Sequence, residues 1–152
     1  MTPRPYAAET DVPVSRSKAA IEEMLRQHGA TEFASGWDPT HDRMQFRLFD
    51  RTIRFTLPRP EPQARKFTHD RRGFRRPPAA IQRSIDQADR QRWRALYLVI
   101  RAKLEAVEAG IAVFEQEFLA FVVMGDGLTI GDVLVPRIQS GQQHLLLNSG
   151  TE

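Results

Sequence analysis

Eleven of the 22 basic residues fall between Arg43 and Arg76, and two phenylalanines, Phe67 and Phe74, sit among them. A guanidinium group neutralises phosphate and can bond two of its oxygens through one planar fork. An aromatic ring offers a face on which a base can stack. The densest stretch reads Arg65-Lys66-Phe67, then Arg71-Arg72-Gly73-Phe74-Arg75-Arg76; Arg43, Arg47 and Arg54 precede it, and Arg90 and Arg94 follow. These residues are the candidate contacts to nucleic acid. The competing reading is a solvated Arg-rich surface with both phenylalanines tucked onto the core. Codon bias alone would favour Arg over Lys, here 19 to 3.

A second pattern could serve metal chemistry. Thr40-His41-Asp42-Arg43-Met44-Gln45-Phe46-Arg47 matches Thr68-His69-Asp70-Arg71-Arg72-Gly73-Phe74-Arg75 at six of eight positions. Paired His and Asp residues ligate divalent metals in phosphohydrolases, but neither copy lies in a helical pattern and a third ligand cluster is missing. Chance or a minor duplication explains the repeat as well. The chain has no glycine-rich phosphate loop, no nucleophile elbow and no His-Glu-x-x-His. The expectation is a protein without catalytic residues, metal or cofactor.

The charge is segregated. Residues 43–76 carry a net +8 and residues 105–152 a net −6, inside an overall +3. Such separation attracts polyanions and can orient two chains against each other. The 152 residues, 41% hydrophobic, suffice for one core. The absence of cysteine excludes disulfides and zinc-thiolate sites. No long apolar run or charged-then-apolar leader is present, so the expected location is the cytoplasm, without a membrane partner.

The elements that must position these side chains read as a single α+β domain over residues 15–138. Residues 1–14, with Pro3, Pro5 and Pro13, read as a mobile leader. Ser15 or Ser17 can cap a helix with its stripe at Ala20, Ile21, Met24, Leu25 and His28, stopped by Gly29. A short strand over Thr31–Trp37 leads into a hairpin. Met44, Phe46 and Leu48 alternate with polar residues, as do Ile53, Phe55 and Leu57. A two-residue loop at Asp50-Arg51 would pair Leu48 with Ile53, Phe46 with Phe55 and Met44 with Leu57. It would also set Arg47 opposite Arg54, a repulsive pair. Residues 58–80, with five prolines, read as a long basic loop.

Beyond it, Trp93, Tyr97, Ile100, Leu104, Val107, Ile111, Phe114, Phe118 and Phe121 recur at alternating spacings of four and three. The phase runs through Gly110 and predicts one helix over 86–123, roughly 57 Å long; two helices broken at Gly110 are the alternative. Thr129 and Asp132 form a capping-box pattern for a short helix through Ile138, and residues 139–152 read as a flexible tail. The long helix is basic first (Arg90, Arg92, Arg94, Arg101, Lys103) and acidic later (Glu105, Glu108, Glu115, Glu117), against its own macrodipole. An antiparallel second copy would satisfy both halves. Self-association through Ile111, Phe114, Phe118 and Phe121 is therefore expected.

The stretch from Arg92-Trp93-Arg94-Ala95-Leu96 through Lys103–Gly110 to Phe118-Leu119-Ala120-Phe121, and Gly29-Ala30-Thr31-Glu32-Phe33 with Trp37, resemble a group of small uncharacterised proteins carried by bacteriophages and mobile elements. The resemblance covers about Ser15 to Ile138 and implies a phage or mobile-element setting, with no catalytic residue carried over. Two functions fit: a nucleic-acid-binding accessory of low sequence specificity, or an interaction module, such as a host-factor inhibitor or assembly factor, acting through the long helix.

Overall fold

A computed structural model describes residues 7–141 of the chain. Helix α1 (Val14–Gln27) is followed by strands β1 (Glu32–Trp37), β2 (His41–Leu48) and β3 (Arg51–Pro58). After these come a single helical turn α2 (Arg65–Thr68), the long helix α3 (Pro78–Glu108), a short α4 (Phe114–Glu117), a 3₁₀ turn at Leu119–Phe121, and α5 (Ile130–Gln139). The α+β class and the antiparallel meander β1-β2-β3 are those expected. Among the described residues no helix is long and apolar enough to cross a membrane.

The inward sheet face carries Met44, Phe46, Leu48, Ile53 and Phe55, all buried. They share one core with Ile21 and Leu25 of α1, Trp93, Leu96, Ile100 and Leu104 of α3, and Phe114 and Phe118. Phe118 stands edge-on to Phe46 and Phe55, and Phe121 stacks on Phe55 at 4.2 Å. The outer face holds Arg43, Gln45, Arg47, Arg54 and Thr56.

The hairpin register differs from the expected one by two residues. Its two-residue loop is Phe49-Asp50, both with positive φ (48° and 61°), as a type I′ turn requires. Leu48 therefore faces Arg51, Phe46 faces Ile53, Met44 faces Phe55 and Asp42 faces Leu57. Arg47 lies opposite Thr52, and Arg54 opposite Gln45, so the expected Arg47–Arg54 repulsion does not arise. Phe49 gains a tertiary contact in this turn, with its ring 5.1 Å from Phe114.

Helix boundaries were decided by glycine. α1 ends where Gly29 takes φ +94° and Ala30 N–H bonds Leu25 C=O, a Schellman stop at the expected place. At its start the first turn hangs on the Pro13 carbonyl rather than on a serine side chain; Ser17 is buried and its hydroxyl has no hydrogen-bond partner among the described residues. The same stop ends α3: Gly110 takes φ +73° and Ile111 N–H bonds Ala106 C=O. The expected single helix over 86–123 is thus corrected to a 31-residue helix that starts at Pro78, and the residues after Gly110 fold back. Pro78 opens it because a proline at the first helical position loses no hydrogen bond.

Two further expectations are corrected. Of the expected leader, residues 1–6 lie outside the described residues, and the part that follows is held: Ala7 is buried, and the Gln87 amide donates to the Ala8 and Thr10 carbonyls. Residues 58–80 contain α2, an ordered turn and the start of α3 rather than one loop. The Thr129/Asp132 capping box is present at the start of α5, as expected. Most of the expected tail, residues 142–152, lies outside the described residues.

Candidate nucleic-acid interface

The stretch after α2 folds into a small finger. His69 and Arg75 pair as an antiparallel bridge, Asp70 N–H bonds Phe74 C=O, and Gly73 N–H returns to Asp70 C=O at 3.0 Å. Asp70 also accepts the Arg72 and Phe74 N–H groups on its carboxylate. Gly73 has φ +87°, which completes a three-residue turn of the bulged type. Asp70 and Gly73 thus build the turn locally, and Arg71 and Arg72 occupy its tip.

The finger is tied down at its base. Arg76 N–H bonds Thr68 C=O, and the Arg76 guanidinium donates to the Ser84 hydroxyl of α3 at 2.9 Å. Phe67 is buried beneath α2, with the Lys66 ammonium 4.9 Å from its ring. Phe74, by contrast, is 68% exposed. The two phenylalanines therefore divide between the two readings: Phe67 anchors, and Phe74 is presented to solvent.

The candidate cations divide in the same way. Arg43 pairs with Asp38 at 2.6 Å, Arg47 with Asp50, and Arg54 donates to the Gly127 carbonyl. Arg90 is bonded to Gln87, and Arg94 lies over the Tyr97 ring at 4.4 Å. Arg65, Arg71, Arg72 and Arg75 make no ion pair or side-chain hydrogen bond among the described residues, and all four are exposed. A Arg65 guanidinium nitrogen lies 3.5 Å from where a side chain on Gly73 would begin, so Arg65 belongs to the finger. Sequence reasoning brought the sheet-face arginines and the finger into one patch; the structure engages the first set internally and leaves the second free.

Asp38 organises the β1–β2 turn. Its carboxylate accepts the Thr40 N–H and hydroxyl, the His41 N–H and the Arg43 guanidinium. These bonds, those from Thr40 foremost, hold its carboxyl well below the ordinary range. The two His-Asp copies do not converge on a ligand set. Each His ring nitrogen lies 2.8 Å from the hydroxyl of the preceding Thr. Asp42 is buried against Arg92, while Asp70 serves its own turn. Among the described residues no group of three or more His, Asp or Glu side chains is arranged to hold a metal ion.

The residues expected to join two copies lie elsewhere. Phe114 and Phe118 are buried in the chain's own core, Phe121 stacks on Phe55, and Ile111 alone stands out, 81% exposed. Sequence reasoning passed over Trp37 and Arg59 as contacts. Trp37 is 71% exposed with the Arg59 guanidinium 5.5 Å from its ring. The signal available for it was a tryptophan at the end of an edge strand.

No protein-family model, curated protein or solved structure matches the chain.

Proposed function

We propose that the protein is a non-enzymatic nucleic-acid-binding accessory of low sequence specificity, working in the cytoplasm in a phage or mobile-element setting. The observation that carries this reading is the finger: four guanidinium groups without a partner among the described residues, around an exposed phenylalanine on a turn braced by its own hydrogen bonds. Leaving cations unpaired on a rigid turn suits a polyanion, because the turn loses little entropy when it docks. Contacts of this kind go to phosphate and ring faces, which carry little sequence information.

The test is binding of fluorescent DNA and RNA oligonucleotides at two salt concentrations. Arg71→Ala, Arg72→Ala and Arg75→Ala together should weaken binding and flatten its salt dependence by about 0.7–0.9 in log–log slope per lost phosphate contact. An unchanged slope would move the site away from the finger, and no binding by the intact protein at low salt would sink the reading. Partnership with a host protein is the second reading, favoured by the apolar side chains of Ile111, Val113 and Leu119, each at least half exposed.

A further inference from the structure

Two concavities flank α2. One runs from Pro58 and Arg59 to Lys66, and the other from Lys66 to Arg83 along the first turns of α3. They share Lys66, Phe67, Ala88 and Gln91 as lining residues, so they adjoin along α3 and together make up a trough in two halves. Each half, about 560 and 590 Å³, is of nucleotide-holding size. Arg59, Lys66, Arg76, Arg83 and Arg92 line it against a single acid, Glu61. Arg92 is committed to Asp42, while Arg83 has no partner among the described residues.

The Arg59 end of the trough meets Trp37. Arg59 is fixed there by three contacts: its N–H on the Thr40 carbonyl, its guanidinium on the Asp38 carbonyl, and its Nε 3.8 Å from the buried Asp42 carboxylate. The guanidinium covers one face of the indole. Since 71% of Trp37 remains exposed, the opposite face is open. An open aromatic face beside a cationic trough is the arrangement that takes up unpaired bases, whereas the bases of a duplex are already stacked on each other.

We propose that this trough is a track for single-stranded nucleic acid, with Trp37 as the stacking platform at one end and Arg83 as a phosphate contact at the other. The proposal rests on the nucleic-acid reading above and adds the strandedness of the ligand and two residues outside the finger.

The chain supplies its own probe, because its other tryptophan, Trp93, is only 1% exposed. Oligothymidylate of about 15 nucleotides would be titrated into the full-length protein, with a duplex of the same length as competitor. Quenching of tryptophan emission is expected, together with preference for the single strand. Trp37→Ala should abolish the quenching and weaken binding roughly 5- to 150-fold, the effect of losing one stacked base; Trp37→Phe should retain most of the affinity. Arg83→Ala should lower the salt slope with the quenching intact at saturation. Binding that depends on Arg71, Arg72 and Arg75 but is indifferent to Trp37, or that prefers duplex, would overturn the track and leave the finger standing. Failure of the wild type to bind either ligand at low salt would overturn both.

Discussion

Asp42→Ala tests the contact that fixes the sheet to the long helix. Asp42 is 5% exposed, and its carboxylate meets the Arg92 guanidinium of α3 and lies 3.8 Å from Arg59. Arg92 also donates to the carbonyls of Leu57 at 3.2 Å and Pro58 at 2.9 Å, so one side chain clamps α3 to β2 and to the end of β3. Removing one partner of a buried ion pair costs about 3–5 kcal/mol, because the other charge is stranded. Here Arg92 would keep Asp89, three residues back on its own helix, as well as both carbonyls. The loss should therefore sit near or just below the low end, about 2–3 kcal/mol. With a urea m-value of about 1–3 kcal/mol/M, the unfolding midpoint should fall by roughly 0.7–3 M. Arg92→Met alone should be similarly costly. The double variant should lose less than the sum, since residues in direct contact couple by about 0.5–3 kcal/mol. A loss for Asp42→Ala below about 1 kcal/mol is what an exposed pair gives, and it would refute the clamp.

Three further outcomes follow from particular contacts. Gly131→Ala places a methyl 2.7 Å from the Ala120 carbonyl oxygen, so α5 should lift from the 3₁₀ turn and lower the melting temperature, even though alanine is the better helix former. A more stable variant would show that this docking is loose. Arg47→Thr should change stability by less than about 0.5 kcal/mol, because Arg47 faces Thr52 and only its exposed pair with Asp50 is lost; a clear gain in urea unfolding would favour the discarded register. For Asp38 the folded carboxyl lies below its unfolded value near 4, so its contribution is complete above about pH 4 and is lost as pH falls further. Asp38→Asn should thus be less stable than wild type at pH 7, with the difference shrinking at pH 3 and below.

Strand faces were legible in the residues, and the pairing between strands was not. A two-residue shift leaves every inward side chain on the same face, so alternation fixes which of Met44, Phe46, Ile53 and Phe55 point inward and is silent on which of them meet. The turn decides that, and here it places a phenylalanine at positive φ, a choice that the Phe114 contact supports from 65 residues away. Gly110 presents the opposite case. Its effect as a stop was readable from the residue type, but Phe114 and Phe118 resume the helical spacing after the break and disguise it. They keep the phase because both must still face the core, from a separate turn of helix. Likewise, the basic composition around the finger was plain, but which arginines stay free depended on where the acids landed.

That distribution of acids also explains the charge gradient that opposed the helix macrodipole. With α3 ending at Glu108, Glu115 and Glu117 do not lie on the helix at all. Glu117 returns to Lys103 at 3.2 Å, Glu105 pairs with Arg101 on the same helix, and Glu115 lies 3.7 Å from Arg51 of β3. The acidic end thus neutralises the C-terminal half of α3 and the hairpin within one chain, a role assigned from the residues alone to a second copy. Asp38 and Asp50 do the same for Arg43 and Arg47 on the sheet's outer face. Residues 43–76 contain only three acids. Asp50 is taken by Arg47, Asp70 by the N–H groups of its own turn, and Glu61 lies in the trough. Among the described residues no carboxylate pairs with Arg65, Arg71, Arg72 or Arg75, which leaves the finger the part of the basic segment whose charge is not answered by a described acid.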